Sequence, residues 1–153
     1  YHKMFKYCAW YRVRQYDNII KRNALLFGTQ LFPAHITINS NLSQKEAKRT
    51  AEAYQHIIPT FEPYGPAIQT KTKVCMGVQL FDFYAIQQPL KVNGYKTNIH
   101  ISLAYKSSPF SEMDIAVSNM DIKNISELDV CIADCRTDPN NWKITEVYKQ
   151  SNI

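Results

Sequence analysis

Ala34-His35-Ile36-Thr37-Ile38 and Ile99-His100-Ile101-Ser102-Leu103 spell one local pattern twice: apolar, His, apolar, hydroxyl, apolar. The chain has only four histidines, and two of them stand in it. Successive side chains of an extended chain alternate between faces, so His35 shares a face with Thr37 and His100 with Ser102. Ile36, Ile38, Ile101 and Leu103 are left to anchor each strand in a core. Both patterns precede a helix start. Ser43-Gln44-Lys45-Glu46 is a capping box ahead of Ala47, Ala51, Tyr54 and Ile58, which recur at helical spacing up to Pro59. Ser111-Glu112-Met113-Asp114 repeats the device more weakly ahead of Ile115, Val117 and Met120. Strand with histidine, then capped helix, occurs once in each half.

Outward from these stretches, residues 4–16 are dense in aromatic and β-branched types and read as a strand, and residues 18–27 as a short helix ending at Gly28. Residues 34–39 alternate as a strand. Residues 61–66 form a turn-rich connection, and residues 70–87 read as two strands broken near Gly77, with an apolar block at 78–86. Asn93-Gly94 is a favoured two-residue hairpin turn leading into a strand over 95–106. Final strands near 128–135 and 142–148 flank the turn cluster Asp138-Pro139-Asn140-Asn141. The expected fold class is α+β, with mostly antiparallel strands and two principal helices.

The 153 residues, 45% hydrophobic and 20% charged, suit one compact domain over 1–153 and exclude disorder, collagen and coiled coil. No apolar run approaches the roughly 20 residues of a membrane span, and no signal-peptide core opens the chain, so a soluble, cytoplasmic protein without membrane contact is expected. The start at Tyr1 suggests a piece of a larger polypeptide. A net charge of +5 favours anionic partners modestly. Cys131 and Cys135 miss the C-x-x-C spacing of a zinc ribbon, and with Cys8 and Cys75 they read as reduced thiols. No glycine-rich phosphate loop and no carboxylate cluster is present, so neither a bound metal nor a cofactor is expected.

If the two histidine strands lie side by side, two imidazoles and two hydroxyls converge on one cleft. One His can accept a proton while the other donates one, as phosphodiester chemistry without a metal requires. Thr37 and Ser102 are then hydrogen-bonding partners for phosphate oxygens. A single His on a strand is more often a satisfied side chain than a catalyst; the duplicated setting reverses that balance for His35 and His100. His2 lacks such a setting, and His56, near a helix C-terminus, reads as a dipole partner. By strand parity Lys106 approaches the cleft with His100 and Ser102, and Tyr105 and Phe110 are candidates for stacking on a base. Arg12, Arg14, Lys21 and Arg22 read as a solvated basic face.

The pair of H-x-[ST] motifs resembles the signature of the two-histidine (2H) phosphoesterase superfamily, and the likeness spans most of the chain. Within it, the sequence looks most like the viral 2′,5′-phosphodiesterases, the group that includes C-terminal domains of rotavirus capping enzymes. The resemblance implies a bilobal fold, with two sheet-and-helix halves facing each other across a central cleft. It implies cleavage of 2′,5′-oligoadenylates, the activators of host ribonuclease L, with His35 and His100 as acid and base and Thr37 and Ser102 on the phosphate. Implied partners are that oligonucleotide, other short RNA, and further domains of a larger capping protein. The 65-residue interval between the histidines is short for the family and implies trimmed loops around the cleft. Two alternatives stay open: a 2′,3′-cyclic phosphodiesterase acting on RNA ends, and a non-catalytic RNA-binding or assembly module.

Overall fold

The computed structural model describes residues 6–76 and 79–149. The start of the expected first strand at residues 4–5, His2, the break at Gly77 and the side chain of Cys75 lie outside that description. The chain forms β1 (Tyr7–Arg12), α1 (Asp17–Phe27), β2 (His35–Leu42), α2 (Gln44–Tyr54), β3 (Phe61–Pro63), β4 (Ile68–Met76), β5 (Gln79–Val92), β6 (Tyr95–Lys106), α3 (Glu112–Ser118), β7 (Asp129–Asp134) and β8 (Lys143–Tyr148). Short 3-10 turns stand at Arg14–Tyr16 and Pro139–Asn141. The fold class is α+β, as expected from the sequence.

All strand pairs are antiparallel and fall into two sheets. The first runs β2-β1-β7-β8; in the second, β5 pairs with β6 along one flank and with β4 and then β3 along the other. The two histidine strands are therefore not hydrogen-bonded neighbours. Each is the edge of its own sheet, and the two edges pack against one another. Ile36, Ile101 and Leu103 are fully buried behind them.

Local signals account for the helix ends. Ser43 accepts from the Glu46 N–H at 3.1 Å while the Glu46 carboxylate accepts from the Ser43 N–H at 3.3 Å. Ser111 and Asp114 repeat that reciprocal cap. Gly28 closes α1 at φ +68°, a left-handed conformation in which glycine carries no Cβ penalty. Asn93 and Gly94, both at positive φ, make the β5–β6 turn. α2 lies on β1 and β7 of the first sheet, and α1 on β6 of the second.

Several boundaries differ from expectation. The first strand stops at Arg12, whose guanidinium donates to the Asp17 carboxylate at the start of α1, rather than running on to Tyr16. α2 ends at Tyr54, so His56 lies beyond it and not on its last turn. Phe61–Pro63 is a short strand on the edge of β5, where Pro63 is tolerated, rather than part of a turn. No described helix is long and apolar enough to cross a membrane.

Candidate active site

Both motif strands carry a β-bulge at the same point. Ala9 and Trp10, consecutive on β1, oppose Asn39 and Thr37, so Ile38 is an extra residue. Ile86 and Gln87, consecutive on β5, oppose Ala104 and Ser102, so Leu103 is the extra one. Each bulge directly follows the hydroxyl residue of its motif and shifts the alternation of side chains by one. His35 and Thr37 therefore share the cleft side with Ser40, and His100 and Ser102 share it with Tyr105. The bulge in β6 is fastened from outside by the buried Asn23 of α1, whose Nδ2 donates to the Leu103 carbonyl at 3.2 Å.

The facing edges enclose a cleft of about 400 Å³ lined by His35, Thr37, His100 and Ser102 together. Tyr105 joins them. Its hydroxyl neighbours Ser102, and burial pushes its pKa up to about 12, so it stays a protonated donor at neutral pH. Lys106 and Phe110 are not among the lining residues. Past the bulge, strand parity turns Lys106 away: its ammonium sits 4.6 Å from the Phe110 ring centre and 3.8 Å from Asp114. Phe110 is buried against Phe27. Contrary to expectation, Lys106 does not approach the cleft, because the extra Leu103 breaks the alternation of β6.

His35 is the deeper histidine, 6% exposed. Its ring stacks on Trp10 with centroids 3.6 Å apart and planes at 11°, and Phe32 and Trp142 meet it edge-on at 6.1 and 5.9 Å. Buried in this box of aromatic rings, the imidazole is cut off from the water that would solvate an imidazolium. Burial, with smaller contributions from the positive charges of Arg12 and His100, lowers the His35 pKa from 6.5 to about 4. His100 is half-buried, and burial lowers its pKa as well.

Both rings are held in the same way. His35 Nδ1 lies 2.7 Å from the Pro33 carbonyl oxygen, and His100 Nδ1 lies 3.3 Å from that of Asn98, in each case two residues back. A carbonyl only accepts, so Nδ1 carries the proton and the lone pair of the neutral ring is at Nε2.

Sequence reasoning did not single out Trp10, Trp142, Cys8 or Cys135, all of which line the cleft. Trp10 reaches it because it opposes Thr37 on β1, and Cys135 because its N–H pairs with Lys6 beside β1; both depend on long-range register that has no local signal. Lys73 and Thr72 of β4 form part of the opposite wall. Among the described residues, no group of three or more His, Cys, Asp or Glu side chains is placed to hold a metal ion. The chain matches no protein-family model and no curated protein.

Proposed function

We propose that this chain is a metal-independent phosphodiesterase of the two-histidine type, acting on 2′,5′-oligoadenylates and so opposing ribonuclease L activation. The observation that carries the reading is the convergence of His35, Thr37, His100 and Ser102 on one cleft from two facing sheet edges. The matching bulges and matching Nδ1 bonds support a bilobal 2H arrangement with paired halves. The choice of the 2′,5′ linkage rests on the family resemblance of the two motifs.

In this reading His35, kept neutral by its aromatic box, is the general base: its Nε2 takes the proton of the attacking hydroxyl. His100, less buried, is the general acid: burial lowers its pKa, so it acts as the imidazolium that a bound phosphate induces, passing its Nε2–H to the departing ribose oxygen. The phosphate held between the rings favours the imidazolium at His100. Thr37, Ser102 and the protonated Tyr105 offer hydroxyl donors to the phosphoryl oxygens, where charge accumulates. Attack by water releases a phosphomonoester. Attack by the neighbouring 3′-hydroxyl instead leaves a 2′,3′-cyclic phosphate.

The experiment is incubation of the protein with 2′,5′-linked and 3′,5′-linked triadenylate in EDTA, with His100→Ala as control and the products separated by chromatography. The expected result is loss of the 2′,5′ substrate alone, resistant to chelator and abolished in the variant. Hydrolysis of a 2′,3′-cyclic phosphate without cleavage of the 2′,5′ trimer overturns the substrate assignment. Oligonucleotide binding without any turnover overturns the enzyme.

A further inference from the structure

We infer that Asp17 and Thr97 are positioning residues for the two histidines, each acting through a single peptide group; this rests on reading the cleft as catalytic. The peptide joining Pro33 to Ala34 is gripped at both ends. Its carbonyl accepts from His35 Nδ1 at 2.7 Å, and its N–H donates to Asp17 Oδ1 at 3.1 Å. Asp17 is in turn fixed by Arg12, whose two terminal nitrogens each lie 2.6 Å from one carboxylate oxygen. Arg12 also donates to the Ala34 carbonyl at 3.0 Å, as does the Val13 N–H at 2.9 Å. Neither this peptide nor the one joining Ala34 to His35 is free to rotate.

The second motif repeats the wiring with a neutral acceptor. The peptide joining Asn98 to Ile99 accepts from His100 Nδ1 at its carbonyl, and its N–H donates to Thr97 Oγ1 at 3.0 Å. That hydroxyl donates onward to the Leu90 carbonyl of β5 at 3.1 Å. In both cases an acceptor outside the peptide draws on its N–H, which strengthens the carbonyl at the other end as a partner for the ring. The carboxylate stands behind the shorter ring bond, 2.7 Å, and the hydroxyl behind the longer one, 3.3 Å.

The consequence is control of the tautomer. A neutral base must present its lone pair at Nε2 to the cleft, and the bond made at the opposite nitrogen decides that. Asp17 does for His35, across a peptide, what a directly bonded carboxylate does in other acid–base sites. It touches no reacting atom.

The test uses protein labelled with ring-¹⁵N histidine at pH 7.5, where two-bond nitrogen–proton correlations report each ring's tautomer. The native protein is expected to show the Nδ1–H form at both His35 and His100. In Asp17→Ala, His35 becomes a mixture of both forms while His100 is unchanged. Asp17→Asn, which keeps an oxygen for the Ala34 N–H, restores the native form. Thr97→Val shifts His100 alone, and Thr97→Ser rescues it. Turnover of 2′,5′-triadenylate is expected to fall roughly tenfold in kcat in the two deletion variants, with KM unchanged.

Folded Asp17→Ala and Thr97→Val proteins that both keep the native tautomers overturn the inference. Where Asp17→Ala fails to fold, the Thr97 pair decides it. Tautomer shifts in a protein that cleaves nothing leave the bracing standing and remove the phosphodiesterase reading; cleavage with unmoved tautomers does the reverse.

Discussion

Replacing His35 by glutamine should remove a specific part of the protein's acid sensitivity. The imidazole titrates near 6.5 in the unfolded chain and at about 4 in the fold, because the stack on Trp10 and the edges of Phe32 and Trp142 exclude water. Between those values the unfolded chain binds a proton that the folded one refuses. The stability this confers is whole above pH 6.5, declines as pH falls, and is gone below the folded value. Linkage sets its full size at about 3 kcal/mol, of which about 2.5 kcal/mol is lost by pH 4.5. The assay is urea denaturation followed by far-UV circular dichroism at pH 7.5 and 4.5, for wild type and His35→Gln. The replacement side chain does not titrate, and the cost of the lost stack is common to both pH values, so it cancels in the double difference. His100 titrates in both proteins and cancels too. Wild type should lose about 2.5 kcal/mol more than the variant between the two conditions. Equal losses would refute the argument that the aromatic box, and not the exposed carboxylates, sets this acid response.

In the proposed mechanism the same depressed value places the acid limb of the kcat/KM profile near pH 4, with activity falling as pH drops through it because His35 gains the proton it must accept; an acid limb near 6.5 in initial-rate measurements would count against His35 as base. Asn23→Ala leaves the Leu103 carbonyl at the bulge without its buried donor, and should cost about 1–3 kcal/mol in urea denaturation while shifting Tyr105 away from the cleft. Ser43→Ala removes the cap of α2 and should destabilise the fold by about 1 kcal/mol, read from the same transition. Lys106→Ala should leave kcat and KM for 2′,5′-triadenylate within about twofold, since its ammonium faces Phe110 and Asp114; a large loss would mean the bulge does not redirect it.

What can be read from the sequence is what is decided within a few residues. The capping boxes at Ser43 and Ser111, the Gly28 stop, the Asn93-Gly94 turn and the bounds of β6 depend on local backbone chemistry, and each appears where the pattern places it. The four motif residues are legible because strand parity needs no partner. Parity fails at Lys106 because a bulge exists only relative to the opposing strand, and nothing in Leu103 itself announces that Ala104 and Ser102 will face consecutive residues of β5. Trp10 is hidden for the same reason: its place against His35 comes from the pairing of β1 with β2, in which it opposes the distant Thr37. Phe61–Pro63 reads as a turn because three residues holding a proline carry no strand period, and only the long β5 gives them a flank to pair with.

Turning β2 and β6 toward each other also bears on how this protein behaves at high concentration. An unpaired sheet edge is a template on which another chain can add a strand, and here two of the sheet margins are turned inward on the cleft instead of outward to other molecules. The outer strands carry charge: Lys71 stands on β4 beside the cleft-lining Lys73, and Lys143 and Glu146 punctuate β8. The geometry that opens the cleft thus shields the backbone from self-association, and a variant that splays the two edges should aggregate at lower protein concentration, as light scattering would show.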